Sequence, residues 1–295
     1  MKKLRPYLYL TPSFIVVICL ILVPIIYALF ISFIDLTQNV NKLSDSELWS
    51  FVGFKNYIEI LTSNTFWSTL GRTLYITFVS VGLELFLGLS IALILNEKFI
   101  GRGFVRGIML IPWAFPTIVN AVLWRWFYDP NHGAINGVLA KLGFIEEGEY
   151  INFLGSAFSA LNAIIIADVW KNTALVALLL LAALQSIPGS LYEAAQIDGA
   201  SSWKRFVNVT FPLLAPAILV TLVLRTMEAF KIFDLIYIMT GGGPAEGTQV
   251  MSFLTYQQTM MFGKYSFGAA IAFLMSLFVL LFAFIYIKLL YKDLE

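Results

Sequence analysis

The chain has little of the chemistry on which disulfide-bonded proteins, metalloproteins and most enzymes depend. Its single cysteine, Cys19, excludes an intrachain disulfide, and its single histidine, His132, lies in a turn-like stretch that does not suggest a metal site. There is no Gly-x-x-x-x-Gly-Lys-Ser/Thr sequence, so the chain does not carry the loop that holds ATP phosphates in many ATPases. No nucleophile stands in a recognisable pattern with a base. We therefore predict no catalytic residue, no metal and no cofactor bound by this chain.

Charged residues are scarce as well. They make up 13% of the 295 residues, against about 25% in soluble domains, whereas hydrophobic residues make up 59%. A net charge of +1 excludes the strong basic bias of nucleic-acid-binding proteins, so no nucleic-acid partner is expected. The composition indicates a multi-pass protein whose main surroundings are the lipid bilayer. No repeat, low-complexity tract or soluble domain is visible, which predicts one transmembrane domain over residues 1–295.

Six apolar runs are long enough to cross a bilayer as helices. The first begins close to the N-terminus and is long enough to be an anchor rather than a cleaved leader. About 20 apolar residues span the hydrocarbon core. The fold class is therefore predicted as all-α and integral to the membrane, with six transmembrane helices. The runs cover residues 8–34, 70–95, 105–128, 157–184, 213–238 and 267–290.

The lysines and arginines outside and at the ends of the runs predict the orientation. Loops on the cytoplasmic side of membrane proteins carry an excess of these residues. With the N-terminus inside, both termini and the loop at residues 186–212 are cytoplasmic, and most basic residues fall on that side. The residues gathered there are Lys2, Lys3, Arg5, Lys98, Arg102, Arg106, Lys204, Arg205, Lys288 and Lys292.

Eight ionisable residues lie within the runs, where each costs about 2.5–3.5 kcal/mol at the bilayer centre, so they should face the interior and find partners. Asp168 with Lys171, and Arg225 with Glu228, have i,i+3 spacing and share a helix face near the middle of their spans. Two interpretations stay open: the charges bind a neutral, hydroxyl-rich solute at mid-depth, or they only pair with one another. The eight residues are Glu84, Arg125, Asp168, Lys171, Arg225, Glu228, Lys231 and Asp234.

The loop between the fourth and fifth runs has its own local signals. Pro188 should end the preceding helix, and Ser190 with Glu193 has capping-box spacing, which predicts a new helix from Leu191. Gly199 is placed to end that helix, because glycine tolerates the left-handed conformation that closes many helices.

A second short helix is predicted next, capped by Ser201 or Ser202, and Pro212 opens the fifth span. Helices this short are not stable alone, because too few hydrogen bonds offset the loss of chain entropy. The loop therefore needs a groove to pack in, and a partner protein is the expected supplier.

The same loop resembles the cytoplasmic EAA loop of ABC importer permeases. That pattern is Glu-Ala-Ala, three residues, Gly, nine residues, Ile, one residue and Leu-Pro; here Val209 and Phe211 replace the Ile and the Leu. The resemblance implies a type I ABC importer permease fold. It also implies a dimeric ATP-binding subunit that docks on this loop and binds the ATP and Mg. The implied coupling residues are Glu193, Ala194, Ala195, Asp198 and Gly199.

Longer stretches, from about Phe51 to the C-terminus, resemble the carbohydrate-importer permeases of the maltose type. They include residues 110–116, 124–127, 183–188 and 233–244, and the Gly-Gly-Gly-Pro ending of the last suggests the larger, maltose-F-like member of a permease pair. The resemblance implies a prokaryotic cytoplasmic membrane, a second permease subunit and an extracytoplasmic sugar-binding protein. It implies solute contacts at Thr117, Asp168, Lys171, Asn172, Leu175, Arg225 and Glu228, to which depth adds Asn120, with Trp124 beside it.

The predicted function is ATP-driven import of a di- or oligosaccharide, maltose- or trehalose-like, by alternating access, with hydrolysis performed by the partner subunit. Glycerol-3-phosphate or another polyol is an alternative solute, because Arg225 and Lys171 suit a phosphate, although Asp168 and Glu228 argue against an anion. An ion-coupled secondary transporter is a further alternative, and it would predict inverted repeats and transport that an uncoupler abolishes. A membrane enzyme or scaffold would instead cluster its polar residues at an interface.

Overall fold

The computed structural model describes residues 5–35, 50–146 and 148–290, and helices dominate it. Packing divides the chain into two compact units. One combines the described part of Met1–Ser68 with Leu254–Leu277, and the other combines Thr69–Phe253 with the described part of Phe278–Glu295. The single domain over residues 1–295 stays a prediction.

The first unit contains the first transmembrane span and a small polar cap. Its elements are α1 (Arg5–Val17), a π-helical turn (Ile18–Leu22), α2 (Val23–Ser32), β1 (Ile34–Asp35) antiparallel to β2 (Ser50–Phe51), and α3 (Lys55–Thr62). Asn56 Nδ2 donates to the carbonyl oxygens of Ser32 and Ile34, at 2.9 and 3.2 Å. Ser32 Oγ lies 2.7 Å from the hydroxyl of Tyr57. These bonds hold α3 against the end of the span and satisfy carbonyls that the ending helix leaves without a partner.

Most of the remaining chain forms the second unit. Its helices are α4 (Asn64–Asn96), α5 (Arg102–Ala114), α6 (Thr117–Phe127), α7 (Ala134–Lys141), α8 (Ala157–Gln185), α9 (Gly189–Ile197), α10 (Ser202–Arg205), α11 (Phe211–Phe230) and α12 (Asp234–Met239). Helices α13 (Met251–Tyr256) and α14 (Tyr265–Leu290) contribute to both units. Further π-helical turns lie at Phe206–Thr210, before α11, and at Gln257–Met261, after α13.

In the described part of the chain, five helical segments are long and apolar enough to cross a membrane, and there are six if the bent pair α5 and α6 is counted as one span. The predicted all-α membrane fold is therefore confirmed. The first, second, fourth and sixth runs correspond to α1–α2, α4, α8 and α14. Lys2, Lys3 and Lys292, used for the orientation, lie outside the described residues, and both termini facing the cytoplasm stays a prediction.

The third predicted span, residues 105–128, is not one continuous helix. Helices α5 and α6 meet at an angle of 91°. Phe115 is extended, with ψ 135°, and Pro116 precedes the first residue of α6 with ψ 142°. A residue before proline avoids the helical region, and proline donates no backbone hydrogen bond, so the chain turns here and starts a new helix.

The fifth predicted span, residues 213–238, is also interrupted. Helix α11 ends at Phe230 and α12 begins at Asp234, with Phe233 at φ −130° and ψ −56° between them. Ser252 Oγ donates to the carbonyl of Ile232, which replaces a helical hydrogen bond that the break removes. Helix α12 ends at Met239, before the Gly-Gly-Gly-Pro sequence, so the predicted end of this span is confirmed.

Helix α8 is the centre of the second unit. It packs against α5, α6, α11 and α12, and 67% of its most apolar window is buried, against 0% for the first span. Close approach explains the glycine at position 88 of α4. A Cβ there would lie 2.6 Å from Val176 Cγ1 of α8, so only a residue without a side chain lets the two backbones meet.

Candidate functional site

A cavity of about 550 Å³ lies between α5, α6, α8, α11 and α12. Six of the nine predicted solute-binding residues line it, and they come from three different helices. These six are Thr117, Asp168, Lys171, Asn172, Arg225 and Glu228. Residues predicted from shared depth and from the family resemblance, up to 111 positions apart (228 − 117), thus lie in one cavity wall.

The other three predicted residues do not line this cavity. Asn120 is buried, and its Nδ2 donates to the carbonyl of Ala167 at 3.2 Å. Trp124 packs in an aromatic cluster, with its ring centroid 5.9 Å from that of Trp170. Leu175 is half-buried, one turn beyond Lys171 on α8. All nine assignments stay predictions, because no solute is bound.

Arg225 is the centre of a buried group of charges. Its Nε donates to Glu84 Oε2 at 2.7 Å and its Nη2 to Glu84 Oε1 at 2.9 Å, a two-bond contact between α11 and α4. Its Nη1 donates to Glu228 Oε2, one turn further along α11. The side chains of Arg225 and Glu84 are 3% and 0% exposed, so a guanidinium and a carboxylate satisfy each other away from water.

Asp168 is the second buried carboxylate of this group. Its Oδ2 lies 3.5 Å from Arg225 Nη2 and accepts no hydrogen bond from any described residue. Its Oδ1 accepts from Asn172 Nδ2 at 2.7 Å, one turn along α8. One guanidinium therefore faces two buried carboxylates, and it bonds Glu84 more closely than Asp168.

The charges nearer the cavity are less enclosed. Lys171 Nζ donates to Thr117 Oγ1 at 2.7 Å, which bridges α8 and the first residue of α6 across the wall. The Glu228 side chain is 60% exposed. Lys231 and Asp234, on either side of the break between α11 and α12, complete the charged lining. Among the described residues, no three His, Cys, Asp or Glu side chains are arranged to hold a metal ion.

The predicted coupling loop forms two short helices, but its first helix begins earlier than expected. Helix α9 starts at Gly189, and Pro188, not Ser190, is its N-cap. The predicted capping box is therefore wrong. Pro188 is already extended, with ψ 130°, and its carbonyl accepts from Leu191 N at 3.2 Å, so the first turn closes before Ser190 could cap it.

The end of α9 confirms the prediction for Gly199. Its φ is +75°, and its N–H bonds to Gln196 O at 3.1 Å, while Ala200 N bonds to Ala195 O at 2.9 Å. These two bonds form a Schellman motif, which requires the left-handed conformation that glycine adopts without strain. Ser201 then caps α10 by accepting from Lys204 N at 3.4 Å, as one of the two predicted alternatives.

The surface of α9 is largely exposed. Of the predicted coupling residues, Ala195 is half-buried, and the exposed ones are Glu193, Ala194, Asp198 and Gly199. Ile197, an apolar residue, is 87% exposed beside them. Tyr192 and Thr210 lie within hydrogen-bond distance, hydroxyl to hydroxyl at 3.1 Å, and connect α9 to the start of α11. A displacement of α9 would therefore act on the helix that carries Arg225.

Comparison with known proteins identifies the family. Residues 84–294 match the family of binding-protein-dependent transport system inner membrane components. The chain belongs to this family. It is a multi-pass ABC permease subunit, which confirms the class of protein that the loop predicted.

The permease is similar to several characterised relatives. It is 45% identical to the trehalose/maltose transport system permease protein of Thermococcus litoralis, over 96% of this chain and 92% of that one. It is 37% identical to the trehalose transport system permease of Mycobacterium tuberculosis, over 96% and 87%. It is also 37% identical to the sulfoquinovosyl glycerol permease of Agrobacterium fabrum, over 92% and 86%.

Solved structures agree on the fold. Two crystal structures of a bacterial ABC transporter for alginate each contain a chain similar to this permease. Their TM-scores are 0.80 and 0.82, their identities 23% and 22%, and they cover 97% and 99% of this chain and 94% and 98% of their own. At this identity the likeness supports the type I importer fold and says nothing about the solute.

Sequence reasoning missed several residues at the site. Glu84 was only one of eight ionisable residues in the spans, yet it is the main partner of Arg225. Lys231, Asp234 and Trp113 also line the cavity. The equal number of acids and bases in the spans signalled pairing, but no local pattern showed which acid of α4 or α8 meets the guanidinium.

Proposed function

We propose that this permease imports a neutral di- or oligosaccharide of the trehalose or maltose kind by alternating access, as one of two permease subunits of an ATP-driven importer. The charge balance of the cavity carries the proposal. Three basic residues, Lys171, Arg225 and Lys231, and three acidic residues, Asp168, Glu228 and Asp234, line it, so their sum is zero. A net-neutral wall with many hydrogen-bonding groups fits a hydroxyl-rich, uncharged solute.

Cavity size and relatives support the same proposal. A cavity of about 550 Å³ lies within the range of about 300–1,000 Å³ typical of small-molecule sites. Trp113 and Phe233 line it together with the polar groups and offer apolar faces to the C–H faces of a sugar ring. Trehalose and maltose appear in the names of relatives that align along almost the whole chain.

The exposed loop supports one of the proposed partners, the ATP-binding subunit. A dimeric ATP-binding subunit would dock on α9 through Glu193, Ala194, Ala195, Asp198 and Gly199, and it would bind the ATP and Mg. The exposed Ile197 supports a docking surface, since an apolar side chain on so short a helix gains from burial in a groove. A second permease subunit would complete the pathway. An extracytoplasmic sugar-binding protein would deliver the solute on the face opposite α9.

The test is solute uptake by the complete importer reconstituted in proteoliposomes. ATP-dependent uptake of radiolabelled trehalose or maltose is expected, with glycerol-3-phosphate taken up at background rates. Uptake of glycerol-3-phosphate but of neither sugar would contradict the proposed solute and favour the glycerol-3-phosphate alternative. Sugar uptake that needs no ATP and that an uncoupler abolishes would identify a secondary transporter and overturn the proposal.

A further inference from the structure

We propose that Glu84 is a positioning residue of the solute site, which orients Arg225 and, through it, the cavity-facing carboxylate of Glu228. Glu84 does not line the cavity and is fully buried on α4. The inference rests on the proposed function, because it assigns Glu84 a part in binding the same solute.

Glu84 controls the plane of the Arg225 guanidinium. Two parallel hydrogen bonds, at 2.7 and 2.9 Å, join the carboxylate to Nε and Nη2, and this fork-like contact fixes both the position and the tilt of the group. The nitrogen that Glu84 leaves unused is Nη1, and it donates to Glu228 Oε2. Glu228 is otherwise a long, 60% exposed side chain with many rotamers. The orientation of Arg225, which Glu84 on α4 sets, therefore determines the position of the Glu228 carboxylate in the cavity wall.

Asp168 gives Arg225 a competing partner. Its Oδ2 is buried, accepts no hydrogen bond from the described residues, and lies 3.5 Å from Arg225 Nη2. The two hydrogen bonds from Arg225 to Glu84 hold the guanidinium closer to Glu84 than to Asp168. When an amide replaces the carboxylate, one of these bonds is lost, so Arg225 turns towards Asp168 Oδ2 and Nη1 withdraws from Glu228. Solute affinity should then fall more than the rate of translocation, because α9 and its contacts are unchanged.

The experiment is Glu84→Gln in the complete importer, assayed with radiolabelled trehalose and maltose. The KM for uptake is expected to rise about tenfold, the ratio produced by the loss of one charge-assisted hydrogen bond. This fold-change in KM should be larger than any fold decrease in the maximal rate. Ser80→Ala is the matched control. Ser80 is buried one turn earlier on α4, and its hydroxyl has no hydrogen-bond partner among the described residues, so its KM should be that of the wild type.

A double-mutant cycle separates positioning from a general structural role. If Glu84 acts through Glu228, then Glu84→Gln added to Glu228→Gln should raise the KM by no more than about twofold beyond the single Glu228→Gln variant. Independent, multiplying effects would overturn the inference. A lower folded yield with an unchanged KM would also overturn it, since that is the signature of a structural residue.

A second variant keeps the inference testable if Glu84→Gln does not accumulate. Glu84→Asp keeps the charge but is one methylene shorter, so it should displace Arg225 and raise the KM severalfold; an unchanged KM overturns the positioning role. The two proposals fail differently. A wild-type importer that takes up neither sugar contradicts the proposed function, whereas normal uptake with an unaltered KM in the Glu84 variants contradicts only the role of Glu84.

Discussion

Two sets of charges meet in the second unit, and they are held in different ways. In the buried group, Glu84, Arg225 and Asp168 contact one another with side chains no more than 9% exposed. Arg225 and Asp168 also line the cavity, but its more exposed charges form a second set, the cavity group, which water or a solute can reach: Lys171, Glu228, Lys231 and Asp234. Both groups contain acids and bases, but the surroundings differ.

The difference shows that charges within the membrane-spanning helices serve two purposes: some stabilise the fold as buried ion pairs, and others remain accessible at the cavity wall. A buried ion must find its partner within the protein, because nothing else compensates for lost hydration. A charge at a cavity keeps part of its hydration and is free to exchange water for solute. Arg225 joins the two sets, since it bonds Glu84 on one side and Glu228 on the other.

Removing the shared cation should have the largest effect. Arg225→Ala leaves Glu84 as a buried carboxylate without a partner, and breaking a buried pair in this way costs about 3–5 kcal/mol of the free energy of unfolding. Folded yield and the thermal denaturation of detergent-purified protein measure the loss. Leu224→Ala, at the exposed neighbouring position, is the control and should fold normally.

Two double variants test whether Glu84 or Asp168 is the main ion-pair partner of Arg225. The double variant Arg225→Ala/Glu84→Ala removes the unpaired charge and should recover most of the folded yield. Arg225→Ala/Asp168→Ala should recover less, because Asp168 Oδ2 lies 3.5 Å from the guanidinium, whereas the Glu84 oxygens lie at 2.7 and 2.9 Å. Greater recovery with Asp168 would show that Asp168, not Glu84, is the main partner.

The packing that holds the buried group together should be the next most sensitive feature. Gly88→Ala places a Cβ 2.6 Å from Val176 Cγ1, so α4 and α8 must separate, at a cost of about 1–3 kcal/mol of the free energy of unfolding. Gly82→Ala, on the same helix with open space at its Cβ, is the matched control. Equal melting temperatures for the two variants would contradict the close contact.

Helix α9, which carries most of the predicted coupling residues, has an exposed surface of another kind. Gly199→Ala forces an alanine to a φ of +75°, which costs about 1–2 kcal/mol locally, but no atom lies within 4 Å of the new Cβ. The permease should insert normally, while ATP-dependent uptake should fall severalfold because the docking surface changes shape. Gly189→Ala, on the same helix and without a positive φ, should transport normally. Normal uptake by Gly199→Trp would contradict the docking role.

The cavity group should contribute least to stability. Lys231→Ala removes an exposed charge at the break between α11 and α12, so the free energy of unfolding should change by less than about 1 kcal/mol. The KM for sugar uptake should change, whereas the melting temperature should stay close to that of the wild type. A loss of folded protein as large as that of Arg225→Ala would remove the distinction between the two groups.

Local features were predictable from the sequence. The spans were found from the length of apolar runs, since a helix needs about 20 apolar residues in succession to cross a bilayer. The end of α9 was found because a Schellman motif involves only neighbouring residues and needs a glycine at its left-handed position. Six cavity residues were found from their shared depth and helix faces and from the family resemblance. The start of α9 was missed by two residues, because the extended Pro188, and not Ser190, is its N-cap.

Apolar runs, charge spacing and loop residues were enough to predict that this protein crosses a membrane, which ionisable residues its helices carry near the middle of the spans, and where its exposed loop turns. The pairing of Arg225 with an acid on another helix depended on the tertiary structure. Glu84 and Arg225 are 141 residues apart, and no local rule chooses between Glu84 and Asp168 as the closer partner. That choice depends on how α4 and α8 pack against each other, and the close approach at Gly88 joins helices whose residues are distant in the chain.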